Sequence, residues 1–344
     1  MFTAFYGAFE SGIIYAIMAL GVYLSFRILD FPDLTVDGSF VTGAAVAAIL
    51  IVNGSNPFVA TLAALLAGFG AGCITGLIHT IGKVNALLSG ILMMIALYSI
   101  NLRILGKANV PLLYADTTMT AFKSFFEKTG IDSFLNSMLA AIGLGDVAPR
   151  TWGILLFMIL ITFILKILTD MFLKTEVGLA IRATGDNKRM IRSFSANTNL
   201  MIILGLGLSN ALVAFSGALI AQQGGFADVG MGIGMIIIGL ASVIIGEALF
   251  GTKTIARTTL AVIGGSIIYR IVVTLALRAD FLEPGDMKLI TAIIVIIALI
   301  APKMIDSYKD KKRKVKRRQE MRTMMAGVPS DRKGETGAAL KSNS

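Results

Sequence analysis

Apolar runs of about 20 residues, the length a helix needs to cross a hydrocarbon core of roughly 30 Å, recur along most of this 344-residue chain. No other feature narrows the fold as far. In lipid every backbone N–H and C=O must be satisfied within its own segment, so such runs become helices. They lie near 9–29, 37–53, 58–80, 86–106, 152–173, 200–222, 233–250, 257–277 and 287–302. Together they predict an all-α polytopic membrane protein with about nine transmembrane helices. Composition agrees, because 56% hydrophobic and 15% charged residues leave too little polar surface for a water-soluble globule. Residues 1–302 are expected to form the transmembrane domain and 303–344 a basic, disordered cytoplasmic tail. The first run carries Glu10 and lacks a basic leader or small-residue cleavage site, so it reads as a retained helix and not a signal peptide.

Lysine and arginine collect in loops that stay cytoplasmic. Lys83 in the 81–85 turn, Arg182, Lys188, Arg189 and Arg192 in the 174–199 loop, Lys253 and Arg257 at 251–257, and "KDKKRKVKRR" at 309–318 are therefore placed inside, with the C-terminus. Alternation then puts the N-terminus and the long 107–151 loop outside. Much of the net charge of +10 belongs to the tail. A juxtamembrane polybasic run of that kind is drawn to anionic lipid, which makes membrane lipid, and not nucleic acid, the expected partner.

The loop reads "GLAIRATGDNKRMIRSFSANTN" over 178–199. Gly185 is expected to interrupt a helix after "LAIRAT", and Asp186 to cap a second, short one. Met190, Ile191 and Phe194 would then share one face of that helix, and Lys188, Arg189 and Arg192 the other. Merely connecting two spans takes only a handful of polar residues, so an amphipathic element here points to docking, either on another protein or on the inner leaflet.

That loop, followed by a span ending in "SGALIAQQGGF" and then by "GMGIGMIIIGLASVIIGEALFG", resembles the permease subunits of bacterial ABC importers. The similar branch is that of the branched-chain amino acid and ribose-type permeases. "GIIYAIMALGVYLSFRILDFPDLTVDGSF" is similar to that family's first conserved span. The resemblance covers about 9–302 and departs in the 107–151 loop, which is longer than expected, and in the tail. It implies that 178–199 is a coupling element whose short helix seats in a groove of a separate ATP-binding subunit. Gly178, Arg182, Ala183, Gly185 and Asp186 match the family's motif, with Arg189, Met190 and Phe194 in the part that seats. Further implications are ATP and Mg held on that subunit with no cofactor on this chain, and an external substrate-binding protein or lipoprotein that meets the 107–151 loop. A bacterial inner-membrane location and a permease homodimer also follow, since the coupling element and both half-repeats are complete in one chain. The favoured cargo is an amino acid with an aromatic or branched side chain.

Many transporters carry inverted repeats. Phe31-Pro32-Asp33-Leu34 and Phe226-Ala227-Asp228-Val229 both read Phe-x-Asp-aliphatic, and Gly12 and Gly207, Ala16 and Ala211, and Ala19 and Ala214 stand at the same offset of 195 residues. An odd number of intervening spans inverts the second copy. "LDFPDLTVDGSF" and "GGFADVGMGIG" cannot continue a lipid-facing helix. They are expected to form either broken or re-entrant helices beside a translocation path that includes Asp33, Asp37, Ser39 and Asp228, or ordinary interfacial turns with solvated carboxylates. Arg270 joins the candidates as an intramembrane cation, with snorkelling as the plainer reading. Glu247 is expected to pair with Lys253 or Arg257.

The catalytic inventory is thin. His79 and Cys73 are the only histidine and cysteine, so neither a His-based metal cluster nor a Ser-His-Asp triad is expected from one chain. "GEALFGTKT" at 246–254 fails as a phosphate loop because Thr252 separates Gly251 from Lys253. ATP hydrolysis is expected on another chain, and this one is not expected to be an enzyme. The alternative is an ion-coupled secondary transporter or channel using Asp33, Asp37 and Asp228, although such a carrier needs no docking loop. A membrane scaffold would explain the loop but not the broken spans.

Overall fold

The computed structural model describes residues 2–130, 132–133, 136–137, 152–193 and 197–276, with isolated positions between 289 and 300. The chain divides into two units, Met1–Val295 and Ile296–Ser344, and all elements named below belong to the first. They are α1 (Phe2–Tyr23), α2 (Thr35–Val52), α3 (Pro57–Thr80), α4 (Ala86–Leu105), β1 (Asn109–Pro111), α5 (Thr118–Thr129), α6 (Gly153–Lys174), α7 (Glu176–Asp186), α8 (Lys188–Ser193), α9 (Thr198–Gly224), β2 (Phe226–Asp228), α10 (Met235–Phe250) and α11 (Ile255–Ala276). Among the described residues eight helical segments are long and apolar enough to span a membrane, which makes the chain an all-α polytopic membrane protein. The expected ninth span at 287–302 falls where only isolated positions are described, and the tail at 303–344 lies outside the described residues.

Helix α9 is the axis of the bundle. Gly205, Ser209, Ala211, Ala214, Gly217 and Ala221 are among its many small buried residues, and small side chains let neighbouring backbones approach where lipid supplies no hydrophobic drive. Gly43 of α2 lies on the backbone of Ala214, and Gly72 of α3 on the carbonyl of Leu206, so a β-carbon at either position would overlap main chain. Ser216 Oγ donates to the Ile14 carbonyl at 2.8 Å and Ser209 Oγ to that of Gly21 at 2.7 Å, which sets α1 antiparallel to α9. Gln222 Nε2 donates to Thr61 Oγ1 at 2.8 Å, and with Gly72 on Leu206 this sets α3 antiparallel as well. Thr35 and Thr75 meet at 2.8 Å where α2 begins and α3 nears its end, so α2 runs parallel to α9. Gly239 packs on Val22 and Glu247 on Arg27, so α10 runs with α1. The helices that follow the two breaks, α2 and α10, therefore point in opposite directions, as an inverted repeat requires.

The basic loops share one end of this bundle: the turn after α3, where His79 Nδ1 lies 2.8 Å from the Val84 carbonyl, the α7–α8 pair, and the 251–254 connection between α10 and α11. At the other end β1 pairs antiparallel with β2 in the register Asn109↔Asp228, Val110↔Ala227, Pro111↔Phe226. There α5 lies on α6, with the Phe122 and Phe157 rings stacked at 3.5 Å. Of the 107–151 loop, residues 131, 134–135 and 138–151 lie outside the described residues.

Candidate functional site

The first break begins with a change of helix. After Tyr23 the chain continues as a π-helix over Leu24–Ile28, with Leu29 N–H reaching the Leu24 carbonyl at 3.0 Å. Single π-turns of this kind are frequent at functional sites. Asp30 then takes φ +51°, a left-handed value that aspartate tolerates better than most residues, and Pro32 has no N–H to continue the ladder. Asp33 restarts the chain as a helix. Its Oδ1 accepts from Thr35 N–H at 2.9 Å at the head of α2, and its Oδ2 accepts from Asn210 Nδ2 at 2.7 Å. Asp33 is fully buried and reaches Asn210, about halfway along the 27 residues of α9, while Phe31 packs on His79 and Thr35 on Thr75, so the break lies in the inner half of the bundle.

The second break repeats the device. Asp228 Oδ1 accepts from Gly230 N–H at 2.7 Å, the same two-residue turn as at Asp33. A 3₁₀ turn over Val229–Gly232 leads to Gly234 at φ +88°, where α10 starts. Its first N–H groups have no partner within the helix. Asp37 supplies one from α2, its Oδ2 accepting from Gly234 N–H at 2.9 Å and its Oδ1 from Ile236 N–H at 2.8 Å. A carboxylate also suits the positive end of a helix dipole. The second break is thus held by two aspartates, Asp228 beside the β1–β2 pair and Asp37 from within α2.

Asp33, Asp37 and Ser39 fall within the first stretch of α2 and its cap. Ser39 is fully buried, and its Oγ has no hydrogen-bond partner among the described residues. Asp228 lies apart from them, in the β1–β2 pair. Arg270 is also apart. Its guanidinium carbon sits 4.7 Å over the Tyr15 ring, which stacks on Phe40 at 6.2 Å and 7°, so an aromatic face meets the cation, while its buried Nε has no hydrogen-bond partner among the described residues. Two residues escaped the sequence reading. Asn210 holds the Asp33 carboxylate, while Asn101 of α4 accepts from Thr42 Oγ1 at 2.9 Å and donates to the Gly38 carbonyl at 3.1 Å. Their signal was a side-chain amide inside an apolar run, where it must find a partner.

In the loop between α6 and α9 the interruption comes two residues later than expected and the cap one residue later. Helix α7 runs through Gly185 to Asp186, and the interruption comes at Asn187, with φ −151° and ψ 90°. Asn187 Oδ1, and not Asp186, accepts from the N–H groups of Arg189 and Met190, both at 3.1 Å. Gly185 stays helical because its bare backbone lies on the Ile28 carbonyl and Leu29, where a β-carbon would clash. The expected shared face of α8 is divided. Ile191 is buried, whereas Met190 is 47% exposed, because one turn of helix pressed against the bundle turns adjacent residues opposite ways. Phe194 lies outside the described residues, as does the Arg192 side chain. Gly178 packs on Leu173. Arg182, Ala183, Gly185 and Asp186 line a 640 Å³ cleft against the π-segment, whose Arg27 and the following Asp30 form the far wall. Glu247 pairs with Arg27, not with Lys253 or Arg257. Arg27 Nε lies 2.9 and 3.0 Å from its two carboxylate oxygens, while Arg257 Nε donates instead to the Phe250 carbonyl at 2.8 Å.

Residues 5–300 match the family described as "Branched-chain amino acid transport system / permease component". A tyrosine transport system permease protein of Clostridioides difficile (strain R20291) is 43% identical over 287 residues, which is 83% of this chain and 87% of that protein. A protein of Rickettsia prowazekii (strain Madrid E) described as uncharacterised is 33% identical over 303 residues, 87% of this chain and 98% of its own. Among solved structures, an inward-facing metal-chelate-type ABC transporter aligns over 89% of this chain and 85% of its own, at 16% identity and a TM-score of 0.43.

Proposed function

Because the chain belongs to the branched-chain amino acid transport permease family, and is thus the multi-pass membrane permease of an ABC transporter, we propose that it imports an amino acid. An aromatic side chain heads the candidates, since the relative from Clostridioides difficile is described as a tyrosine permease. The family implies an ATP-binding subunit as partner. ATP and Mg belong on that subunit, and this chain contributes movement and not hydrolysis. The basic end of the bundle faces the cytoplasm, because short loops rich in lysine and arginine stay inside. An external binding protein or lipoprotein meets the β1–α5 end, and two identical permeases enclose the path between them.

The observation that carries this reading is Gly185 lying on the Ile28 carbonyl. Helix α8, with Arg189 and Met190 exposed, seats on the ATPase. Helix α7 then delivers its displacement to the π-segment at the inner end of α1, one short step from the break at Asp33. ATP-driven closure of the ATPase biases one of two bundle states through this lever, which is what alternating access needs. The ion-driven alternative is disfavoured by the docking loop, which a self-sufficient carrier does not need, and by Asp33, whose two oxygens are engaged by Thr35 and Asn210.

The test is co-purification of the chain with its ATPase in detergent, and ATP turnover, for wild type, Met190→Asp and Gly185→Val. Met190→Asp should release the ATPase. Gly185→Val pushes α7 off the Ile28 carbonyl; in the fraction recovered monodisperse it should keep the ATPase bound but stop turnover from responding to substrate. If no ATPase binds and the purified chain alone moves amino acid down an ion gradient, the reading fails.

A further inference from the structure

A cavity of 380 Å³ opens where α2, α4 and the second break meet, well within the range of small-molecule sites, about 300–1,000 Å³. Its wall combines Asp37 and Asn101 with Met94, Ile95, Tyr98 and Ile233. Ile95 is 58%, Tyr98 55% and Ile233 62% exposed, so these side chains project outward from the bundle. Tyr98 lies about 18 Å from one end of α4 and about 10 Å from the other at 1.5 Å per residue. That depth is not the interfacial belt where tyrosines anchor. A phenol, a part-exposed carboxylate and unwound backbone at that depth cannot face hydrocarbon without large cost. The face therefore meets water, a solute or the second permease.

The chemistry of the wall selects the solute. Asp37 accepts from the N–H groups of Gly234 and Ile236 and faces a third, that of Met235; a carboxylate has about four acceptor sites, so one remains for a donor in the cavity. Asn101 is occupied by Thr42 and Gly38, and the other lining side chains named above are apolar or aromatic. We propose that this cavity is a substrate subsite for compounds carrying an ammonium group on a large apolar or aromatic body. Asp37 receives the ammonium group, and Tyr98, Ile95 and Ile233 receive the body. The assignment rests on the permease reading and adds to it a place and a chemical class. It also gives the second break a purpose, because unwinding at Val229–Gly232 is what brings Ile233 and the start of α10 up to Asp37.

The chain offers a clean probe, since Cys73 is its only cysteine. In a Cys73→Ala background, Tyr98→Cys, Ile233→Cys and the α6 surface control Leu160→Cys, 58% exposed, are treated with a membrane-impermeant methanethiosulfonate. Such reagents need a thiolate and therefore water. Positions 98 and 233 should react and position 160 should not. L-tyrosine at ten times its dissociation constant should slow both reactions by about tenfold through mass action, and D-ribose, which has no ammonium group, should not slow them. A second variant, Ile233→Trp, narrows the cavity from an exposed position, and should lower ATP-driven L-tyrosine uptake while the ATPase still co-purifies. Failure of positions 98 and 233 to react, equal protection by D-ribose, or reaction without L-tyrosine protection in a complex that transports L-tyrosine would each overturn the subsite. Failure of the permease reading is a different result: wild type then neither binds the ATPase nor takes up amino acid, whatever the labelling pattern.

Discussion

Replacing Arg27 with glutamine tests whether the inner ends of α1 and α10 are held together by charge. Arg27 is exposed over 56% of its side chain, while Glu247 is exposed over only 11%, so the substitution strands a nearly buried carboxylate. Two unit charges about 4 Å apart attract by about 4 kcal/mol at an effective dielectric of 20. An exposed pair retains roughly 0–1 kcal/mol of this, and removing one partner of a fully buried pair costs roughly 3–5 kcal/mol. This pair is one-sided in burial and its two Nε contacts span both carboxylate oxygens, which places the expected loss between those limits, at about 1–3 kcal/mol. The assay is thermal unfolding of the detergent-solubilised chain, together with ATP-driven uptake in liposomes. Lys123→Gln serves as control, because its 3.9 Å pair with Glu127 is about half exposed on both sides and should be worth almost nothing. Arg27→Glu should be worse than Arg27→Gln, and Arg27→Glu combined with Glu247→Arg should recover much of the loss. If Arg27→Gln behaves like Lys123→Gln, or the exchanged pair recovers nothing, the charge does not hold these ends and the reasoning is wrong.

Lys166→Met should destabilise the chain by roughly 3–5 kcal/mol, because it leaves the buried Asp170 without its 2.5 Å partner. Lys166→Met with Asp170→Leu should melt closer to wild type despite losing the Thr259 hydrogen bond to Asp170. Asp37→Leu removes the acceptors of Gly234 and Ile236 N–H, at about 1–3 kcal/mol for each donor left unsatisfied. Asp37→Asn keeps one acceptor oxygen and should therefore melt at the higher temperature of the two. Gly72→Val puts a branched side chain onto the Leu206 carbonyl and should abolish recovery of monodisperse protein in size exclusion, whereas Gly70→Val, which meets open space, should leave it unchanged.

Eight spans and both breaks are legible in the sequence for the same reason. A run of apolar residues and the aspartate that ends it are both local signals, and lipid allows few outcomes. What is not legible is the partner a polar group finds across the bundle. Asp186 and Asn187 are neighbouring cap formers, and α7 runs on through Gly185, whose bare backbone fits against the Ile28 carbonyl, so the cap falls to Asn187. Glu247 has Lys253 and Arg257 close in sequence, yet its partner is Arg27, because Arg257 turns back to the end of its own preceding helix. Asp37 caps a helix that begins almost two hundred residues further on, and no local pattern marks such a pairing, since ordinary caps lie two or three residues from their donors. A partial signal was nevertheless present. Asn101, Asn210 and Gln222 are amides inside apolar runs, and each must bond within the bundle or be expelled from it. Asn101 joins α4 to α2, Asn210 joins α9 to Asp33, and Gln222 joins α9 to α3 and to the head of α5. The first two of these bonds hold the start of α2 against α4 and α9, so the placement of the helix that carries Asp37 has a signal in side-chain amides inside apolar runs, although Asp37's own partners do not.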